Sequence, residues 1–317
     1  MATRSVEDVL TKLLQRTKNP SPATKSVGLE EAQPNCPICQ DHGIIIYRVH
    51  EETKWVTNHQ IMNGVEVTTL TPETMVLEED FLSGQVCSPD QAWAWRTTFS
   101  KRCACIKQKK MERLLKASDI TDEFKKLGFK NFSLEGKPQI IVDMYDCSSS
   151  YLKRFLAIRT DRANSIALLG QPGSGKTHLL TAIANNLMQR KNISVLYFPY
   201  VEGFNDLKDD FEKLATKLAR MRQVDVLFID DLFKPLKGEP RATIWQIEQM
   251  YAVINYRYLN HKPILVSSEL TVDEIVNVDE ALGTRIYQMC QNYTVAIKGD
   301  RNILNYRLAG AKYVSNL

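Results

Sequence analysis

The stretch Gly170-Gln-Pro-Gly-Ser-Gly-Lys-Thr177 decides how the second half of this chain folds. It follows the apolar run 165–169 and precedes a segment whose apolar residues recur at helical spacing. Its glycines allow backbone N–H groups to surround phosphate oxygens, and the N-terminus of the next helix adds the positive end of a dipole. The spacing predicts that Lys176 contacts the β- and γ-phosphates of a nucleoside triphosphate and that the Thr177 hydroxyl binds Mg²⁺. The predicted phosphate-binding residues are Gly170, Gln171, Pro172, Gly173, Ser174, Gly175, Lys176, Thr177 and His178.

A second segment, Val224-Asp-Val-Leu-Phe-Ile-Asp-Asp231, has the pattern of a buried strand that ends in two carboxylates. A parallel sheet binds its ligands beyond the carboxyl ends of its strands. We therefore expect Asp230 to hold Mg²⁺, directly or through water, and Asp231 to orient and deprotonate the attacking water. A strand with this ending resembles that of AAA+ ATPases, many of which carry glutamate at the position of Asp231. The aspartate is one methylene shorter, so the resemblance implies slow hydrolysis. A solvated turn at the end of the strand is the alternative.

Two cysteine pairs, Cys36-Pro-Ile-Cys39 and Cys103-Ala-Cys105, lie ahead of these segments. The spacing within each pair allows two thiolates to bind one metal ion, so the four cysteines are predicted to form a structural zinc site. Two pairs of ordinary reduced cysteines, or a redox role for Cys36 and Cys39, are the alternatives. Competing ligands are Cys87, His42 and His59.

The arrangement of apolar patterns along the chain predicts its domains. Strands are predicted at 44–49, 55–56, 65–70, 75–77, 139–142, 165–169, 193–198, 224–229, 263–267 and 293–297. Helices are predicted at 5–16, 106–118, 148–160, 176–190, 205–222, 241–260 and 301–309. Alternating strands and helices indicate a parallel sheet with helices on both faces. We therefore expect an N-terminal helix and linker (1–35), a small zinc-binding domain with a basic connector (36–118) and an α/β P-loop nucleotide-binding domain (119–317).

The composition fits a soluble protein of two domains. The chain has 317 residues, 44% of them hydrophobic, and a net charge of +4, which permits contact with nucleic acid without requiring it. Basic residues are concentrated at Arg96, Lys101, Arg102, Lys107, Lys109, Lys110, Arg113 and Lys116. This cluster indicates either a surface that faces phosphates or a solvated helix face. Since no apolar run approaches the ~20 residues of a membrane span and no signal peptide is present, we expect a cytoplasmic protein.

Three further features lie in the second half of the chain: Ile254-Asn-Tyr-Arg-Tyr258 ahead of Lys262-Pro263, Ser267-Ser-Glu269, and Arg285. Together with the P-loop, the two carboxylates and the N-terminal cysteine pairs, they resemble the DnaC/DnaI-type replicative helicase loaders. The resemblance implies an AAA+ ATPase that uses ATP, Mg²⁺ and Zn²⁺. It also implies that the N-terminal domain binds a hexameric replicative helicase, and that the ATPase domain places this helicase on single-stranded DNA.

The resemblance also assigns roles to polar residues beyond the P-loop. Ser268 or Glu269 would be the polar sensor beside the γ-phosphate, and Arg285 would be a finger that completes the site of a neighbouring subunit. That neighbour implies self-association or an oligomer assembled on the helicase. Arg301 and Arg307 are further finger candidates, and a surface salt bridge is the alternative for Arg285. Two other functions remain open: an IstB-like transposition helper ATPase and a metabolic P-loop kinase.

Overall fold

The computed structural model describes residues 36–62, 65–83, 94–95, 97–207 and 210–308. The predicted N-terminal helix 5–16 and linker 17–35 lie outside these residues. The chain divides into two compact units, Met1–Cys105 and Ile106–Leu317. None of the helices in the described ranges combines the length and the apolar character that crossing a membrane requires.

The first unit is built from short antiparallel strands. They are β1 (Ile44–Val49), β2 (Trp55–Met62), β3 (Val65–Pro72), β4 (Met75–Leu77) and β5 (Thr97–Arg102), with helix α1 (Glu78–Leu82) after β4. β1 lies between β4 and β5, and β2 pairs with β3 in a separate ladder. Along β1, Ile44 and Ile46 are exposed while Ile45 packs against the buried cysteines, as the two-residue period of a strand requires. Strand β5 has no counterpart in the sequence prediction.

The second unit contains a five-stranded parallel sheet. Its strands are β6 (Ile166–Gly170), β7 (Val195–Pro199), β8 (Val226–Asp230), β11 (Ile264–Ser268) and β12 (Thr294–Ile297). They lie in the order β12-β6-β11-β8-β7. A two-residue ladder, β9 (Pro235–Leu236) with β10 (Glu239–Pro240), follows β8. The strands β6, β8 and β11 are buried on both faces, which explains why they are almost continuously apolar.

Helices cover both faces of this sheet. They are α2 (Cys105–Ala117), α3 (Gln139–Ile158), α4 (Lys176–Lys191), α5 (Tyr200–Leu207), α6 (Phe211–Gln223), α7 (Ile244–Leu259), α8 (Val272–Val278), α9 (Glu280–Cys290) and α10 (Arg301–Leu304). Alternate strand residues enter two separate cores. One core, which contains Leu168, Phe228 and Leu265, packs against α3 and α4. The other, which contains Ile229 and Val266, packs against α5 to α9. The predicted α/β P-loop fold, a parallel sheet with helices on both faces, is confirmed.

Some predicted elements were wrong. Residues 139–142 begin helix α3 and form no strand; Pro138 occupies the N-cap position, and Ile141, Met144 and Tyr151 are buried at helical spacing. A short run of β-branched residues cannot by itself distinguish a strand from the start of a buried helix. The predicted helix 205–222 instead covers the end of α5 and most of α6, which are separate helices. The last predicted helix ends early, at Leu304. Helix α8 was not predicted, whereas α9 contains the short helix expected around Arg285.

Candidate nucleotide-binding site and cysteine cluster

The P-loop connects β6 to α4 through left-handed backbone conformations. Gly170 has φ +97° and Gly173 has φ +75°, a region that favours glycine. A Cβ atom at Gly170 would lie 2.2 Å from the carbonyl oxygen of Ile297, so any larger residue would collide with backbone. The helix α4 begins at Lys176 immediately after the loop, and its first N–H groups therefore point toward the loop. The loop is shaped for an anionic ligand.

The ammonium group of Lys176 is buried beneath the loop. Its Nζ donates to the carbonyl oxygens of Gly170 and Gln171, each at 2.7 Å. Burial lowers the pKa of Lys176 to about 8, although the nearby carboxylates of Asp231 and Glu269 act in the opposite direction. A charged group that is poorly solvated gains more from an anionic partner than an exposed one does. Lys176 is therefore suited to bind phosphate.

Three hydroxyl groups converge on the carboxylate of Asp230. Thr177 Oγ1 donates to Oδ1 at 2.9 Å, Tyr197 OH donates to Oδ2 at 3.1 Å, and Ser267 Oγ also donates to Oδ1. Burial raises the pKa of Asp230, and these hydrogen bonds oppose the rise. Thr177 and Asp230 thus bring two oxygen donors together, and oxygen donors are the ligands that Mg²⁺ prefers. The residues present fit a magnesium ion.

Asp231 follows at the end of β8 with a left-handed backbone conformation, φ +55°. Its N–H donates to Ser267 Oγ at 2.8 Å, so Ser267 links the two neighbouring aspartates. Its carboxylate accepts a hydrogen bond from Lys234 Nζ at 2.6 Å. The sequence prediction did not include Lys234.

The neighbouring strand β11 contributes Ser267 rather than the predicted Ser268. Ser268 Oγ donates to the carbonyl oxygen of Leu232 at 2.7 Å and accepts from Leu270 N–H at 3.1 Å. Glu269 lies near enough to Lys176 that its charge raises the pKa of that lysine. Ser267 lies two residues beyond Leu265 and therefore faces the same side of the sheet as Phe228 and Asp230. That alternation is visible in the sequence once β11 is known to neighbour β8.

The remaining loop side chains attach the P-loop to its surroundings. Gln171 Nε2 donates to the carbonyl oxygen of Gly299, and Gly299 N–H donates back to Gln171 Oε1, both at 2.8 Å. Ser174 Oγ donates to the carbonyl oxygen of Gln171 at 2.9 Å. The ring of His178 packs edge-on against Phe132. Pro172 is exposed.

The three arginine candidates lie in different surroundings. Arg285 donates to Asn255 Oδ1 at 3.0 Å and to the carbonyl oxygen of Ala281 at 2.6 Å, and its guanidinium group also lies over two tyrosine rings of α7. These contacts hold it against α7 and its own helix. Arg301 is exposed at the start of α10. The charge of Arg307 lowers the pKa of Lys176, which places Arg307 near the P-loop.

The four predicted zinc ligands come together in the first unit. Their sulfur atoms all lie within 4.8 Å of one another, with Cys36 Sγ 3.8 Å from Cys103 Sγ and Cys39 Sγ 3.4 Å from Cys105 Sγ. A tetrahedral Zn²⁺ with bonds of about 2.3 Å would place its sulfurs about 3.8 Å apart. Backbone N–H groups of Cys39 and Ile38 lower the pKa of Cys36 to about 7, which favours the thiolate. The cysteines present fit a zinc ion.

The two competing histidines lie outside the four-cysteine cluster. His42 and His59 are both exposed, and His59 Nδ1 lies 3.2 Å from a carboxylate oxygen of Glu66. Cys87 lies outside the described residues.

Comparison with known proteins agrees with this geometry. A family model described as IstB-like ATP binding protein matches residues 99–308. The Bacillus subtilis (strain 168) protein YqaM is 54% identical over 302 residues, 95% of this chain and 95% of YqaM. The phage-like element PBSX protein XkdC of the same strain is 48% identical over 312 residues, 98% of this chain and 100% of XkdC. A solved structure of the DnaC helicase loader is 21% identical with a TM-score of 0.47, and the match covers 56% of this chain and 100% of that chain.

The family match includes the P-loop and both aspartates at the end of β8, so the second unit is an ATPase. The chain belongs to the IstB-like ATP-binding protein family.

Proposed function

We propose that this protein is an ATP-dependent loader that places a hexameric replicative helicase on single-stranded DNA when replication is initiated. The observation that carries the proposal is the presence of two different sites on one chain, an ATPase site in the second unit and a four-cysteine cluster in the first. The family match begins at residue 99, so Cys36 and Cys39 lie outside it. A separate module ahead of the ATPase suits a protein that must hold a partner while it responds to ATP.

In this proposal the P-loop residues 170–178 surround the phosphates of ATP, and Lys176 contacts the β- and γ-phosphates. Thr177 and Asp230 would hold Mg²⁺, which would neutralise phosphate charge. Asp231 orients a water molecule and accepts its proton as the water oxygen bonds to the γ-phosphorus. The bond from that phosphorus to the β,γ-bridging oxygen breaks, and ADP leaves. The carboxylate of Asp231 is carried on a short side chain, so basal hydrolysis is slow in this proposal. The helicase or DNA then stimulates it.

The first unit supplies the helicase contact in this proposal. Cys36, Cys39, Cys103 and Cys105 would hold one Zn²⁺. The metal would stabilise a unit whose described part consists of short strands with few buried residues. Residues 36–118 would be the helicase-interaction domain with its basic connector, and 119–317 the ATPase domain.

The basic connector is the proposed contact with single-stranded DNA. On helix α2, Lys107, Lys110, Arg113 and Lys116 are exposed, and among the described residues none of these four forms an ion pair. The acid of this helix, Glu112, accepts a hydrogen bond from Gln108. Cations without acidic partners can release counterions from a phosphate backbone, so their contacts should weaken as salt rises.

Arg285 is proposed to complete the ATPase site of a neighbouring subunit, either in a self-assembled oligomer or in one formed on the helicase. In its own subunit this arginine contacts α7. Adding positive charge at a neighbour's γ-phosphate would favour the transition state there without affecting nucleotide binding in its own loop.

The name of the matching family favours one second candidate, a transposition helper ATPase of the IstB type. Such a protein would assemble on duplex DNA and would have no use for a helicase-binding unit. The two candidates therefore differ in the DNA form and in the protein partner that they bind.

The test is a binding experiment with purified full-length protein, a purified hexameric replicative helicase and labelled DNA. Size-exclusion chromatography with ATP should show a complex of the two proteins, and fluorescence anisotropy should show a preference for single-stranded over duplex DNA. Assembly on duplex DNA with no helicase complex at micromolar concentrations would instead support the transposition helper.

A further inference from the structure

The turn that follows β8 holds a lysine against the second aspartate of the site. Lys234 Nζ lies 2.6 Å from Asp231 Oδ2, and Lys234 N–H donates to the carbonyl oxygen of Asp231 at 3.1 Å. The two side chains between them in sequence, Leu232 and Phe233, are fully buried. Leu232 is also fixed through its backbone, since its N–H donates to the Ser267 carbonyl oxygen at 2.9 Å. The turn is therefore anchored, and the ion pair spans its ends.

The charges around Lys234 keep its ammonium group in this position. The hydrogen bond that Lys234 donates to Asp231 raises the pKa of Lys234, and the carboxylates of Glu269 and Glu202 raise it further against the effect of burial. Lys234 is thus fully protonated near neutral pH. The ammonium group occupies one acceptor position on the Asp231 carboxylate and holds the carboxylate in one orientation, so Asp231 is less able to turn toward the attacking water.

The ion pair is joined directly to a surface hairpin, Pro235–Pro240. Pro235 follows Lys234, and a residue before proline has a restricted backbone. The hairpin loop consists of Lys237 at φ +55° and Gly238 at φ +89°, the two positive φ angles of a tight two-residue turn. Leu236 on the hairpin is 52% exposed. Any movement of the hairpin would reach Lys234 through one peptide bond.

We propose that Lys234 is a positioning residue that restrains Asp231 and keeps the basal ATPase rate low until the hairpin moves. The inference rests on the role proposed for Asp231 in ATP hydrolysis. When Lys234 leaves, Asp231 Oδ2 loses its ammonium donor, and the carboxylate at the end of β8, next to Asp230, can turn toward the attacking water. The water oxygen then bonds to the γ-phosphorus while its proton passes to Asp231. The bond from that phosphorus to the β,γ-bridging oxygen breaks, ADP leaves, and no further reactant is required.

Steady-state ATP hydrolysis by the full chain tests the restraint. Lys234→Met should raise kcat about two- to fivefold, the size expected when a partly exposed ion pair is broken, and should leave KM unchanged. Lys234→Arg keeps a cation at this position and should stay near the wild-type rate. Pro235→Ala should also raise kcat, by a smaller factor than Lys234→Met, because it relaxes the backbone at Lys234. Lys237→Met, a change to an exposed lysine of the same hairpin, is the matched control and should have no effect.

The outcomes separate this inference from the function on which it rests. If Lys234→Met lowers kcat or leaves it unchanged while a fluorescent ATP analogue still binds, Lys234 does not restrain Asp231 and the inference is wrong. If Asp231→Asn hydrolyses ATP at the wild-type rate, the role proposed for Asp231 is wrong whatever Lys234 does. The double variant Lys234→Met/Asp231→Asn should be inactive, because the released group would be absent.

Discussion

At the scale of single residues, the site depends on hydroxyl groups that come from three different elements. Thr177 of α4, Tyr197 of β7 and Ser267 of β11 all donate to the carboxylate of Asp230. Burial raises the pKa of this carboxyl group, so the hydrogen bonds are what favour its charged form. We therefore expect the affinity for Mg²⁺ to depend on Tyr197 and Ser267, which do not themselves contact the ion.

The adjacent serines of β11 offer a matched pair of variants. Ser267→Ala removes a hydrogen bond to the Asp230 carboxylate and leaves the Asp231 N–H without its acceptor. A hydrogen bond to a charged group contributes about 1.5–3 kcal/mol, so the Mg²⁺ concentration for half-maximal ATPase activity should rise about tenfold or more. Ser268→Ala removes a hydrogen bond to Leu232 instead and should lower Tm without changing the Mg²⁺ requirement. If Ser267→Ala and Ser268→Ala needed the same Mg²⁺ concentration for half-maximal activity, Ser267 would have no special role in supporting Asp230.

The lowered pKa of Lys176 predicts how nucleotide binding depends on pH. The free loop holds a charged ammonium below about pH 8 and loses the proton above it. Bound phosphate favours the charged form, so ATP affinity should be constant from pH 6.5 to 7.5 and should fall as pH rises past 8. Lys176→Ala should weaken binding strongly and remove this dependence. An affinity for the fluorescent analogue that is unchanged in Lys176→Ala would contradict the role of this lysine.

At the scale of elements, the four-cysteine cluster joins the two ends of a β-strand unit. Cys36 and Cys39 precede β1, while Cys103 and Cys105 follow β5. Among the described residues of this unit, few are buried other than the cysteines themselves, so a metal would contribute much of its stability. The ATPase unit has two extensive cores of its own and should not depend on this metal.

Removal of zinc should therefore unfold one unit and spare the other. Elemental analysis of freshly purified protein should give about one Zn²⁺ per chain. A chelator, or a pH low enough to protonate thiolates, should abolish the thermal transition of the first unit and leave ATP binding intact. Cys36→Ser should lose the metal, whereas Cys147→Ser, a change to an isolated half-buried cysteine, should retain it. Less than about half an equivalent of zinc in unchelated protein would count against the site.

The elements also show what the sequence could and could not predict. The P-loop, the strand ending at Asp230 and the two cysteine pairs were predictable because each is a local pattern with its own chemistry. The contacts of Ser267 and Tyr197 were not predictable, because they depend on β11 and β7 lying on either side of β8. Residues 139–142 were misassigned because propensity over four residues is weaker than the packing that makes them helical. Lys234 contacts Asp231 through a turn whose positive φ angles no local pattern indicated.

At the scale of the whole molecule, Arg285 is the residue proposed to connect hydrolysis to assembly. If it acts on a neighbour, Arg285→Ala should retain ATP binding and lose turnover when single-stranded DNA and helicase are present. Mixing it with Asp231→Asn should restore part of the activity, because each variant supplies the group that the other lacks at a shared interface. The wild-type rate in Arg285→Ala alone would show that its contacts with Asn255 and Tyr251 serve stability only.

The measurement that tests the central claim most directly is the transfer of a purified hexameric replicative helicase to circular single-stranded DNA, which has no free end for the ring to thread. Gel filtration should recover the helicase with the DNA when the wild-type protein and ATP are both present. The wild-type protein without ATP and the Lys176→Ala variant should give only the background of helicase alone. Equal recovery of the helicase on the circle with and without this protein would contradict the account.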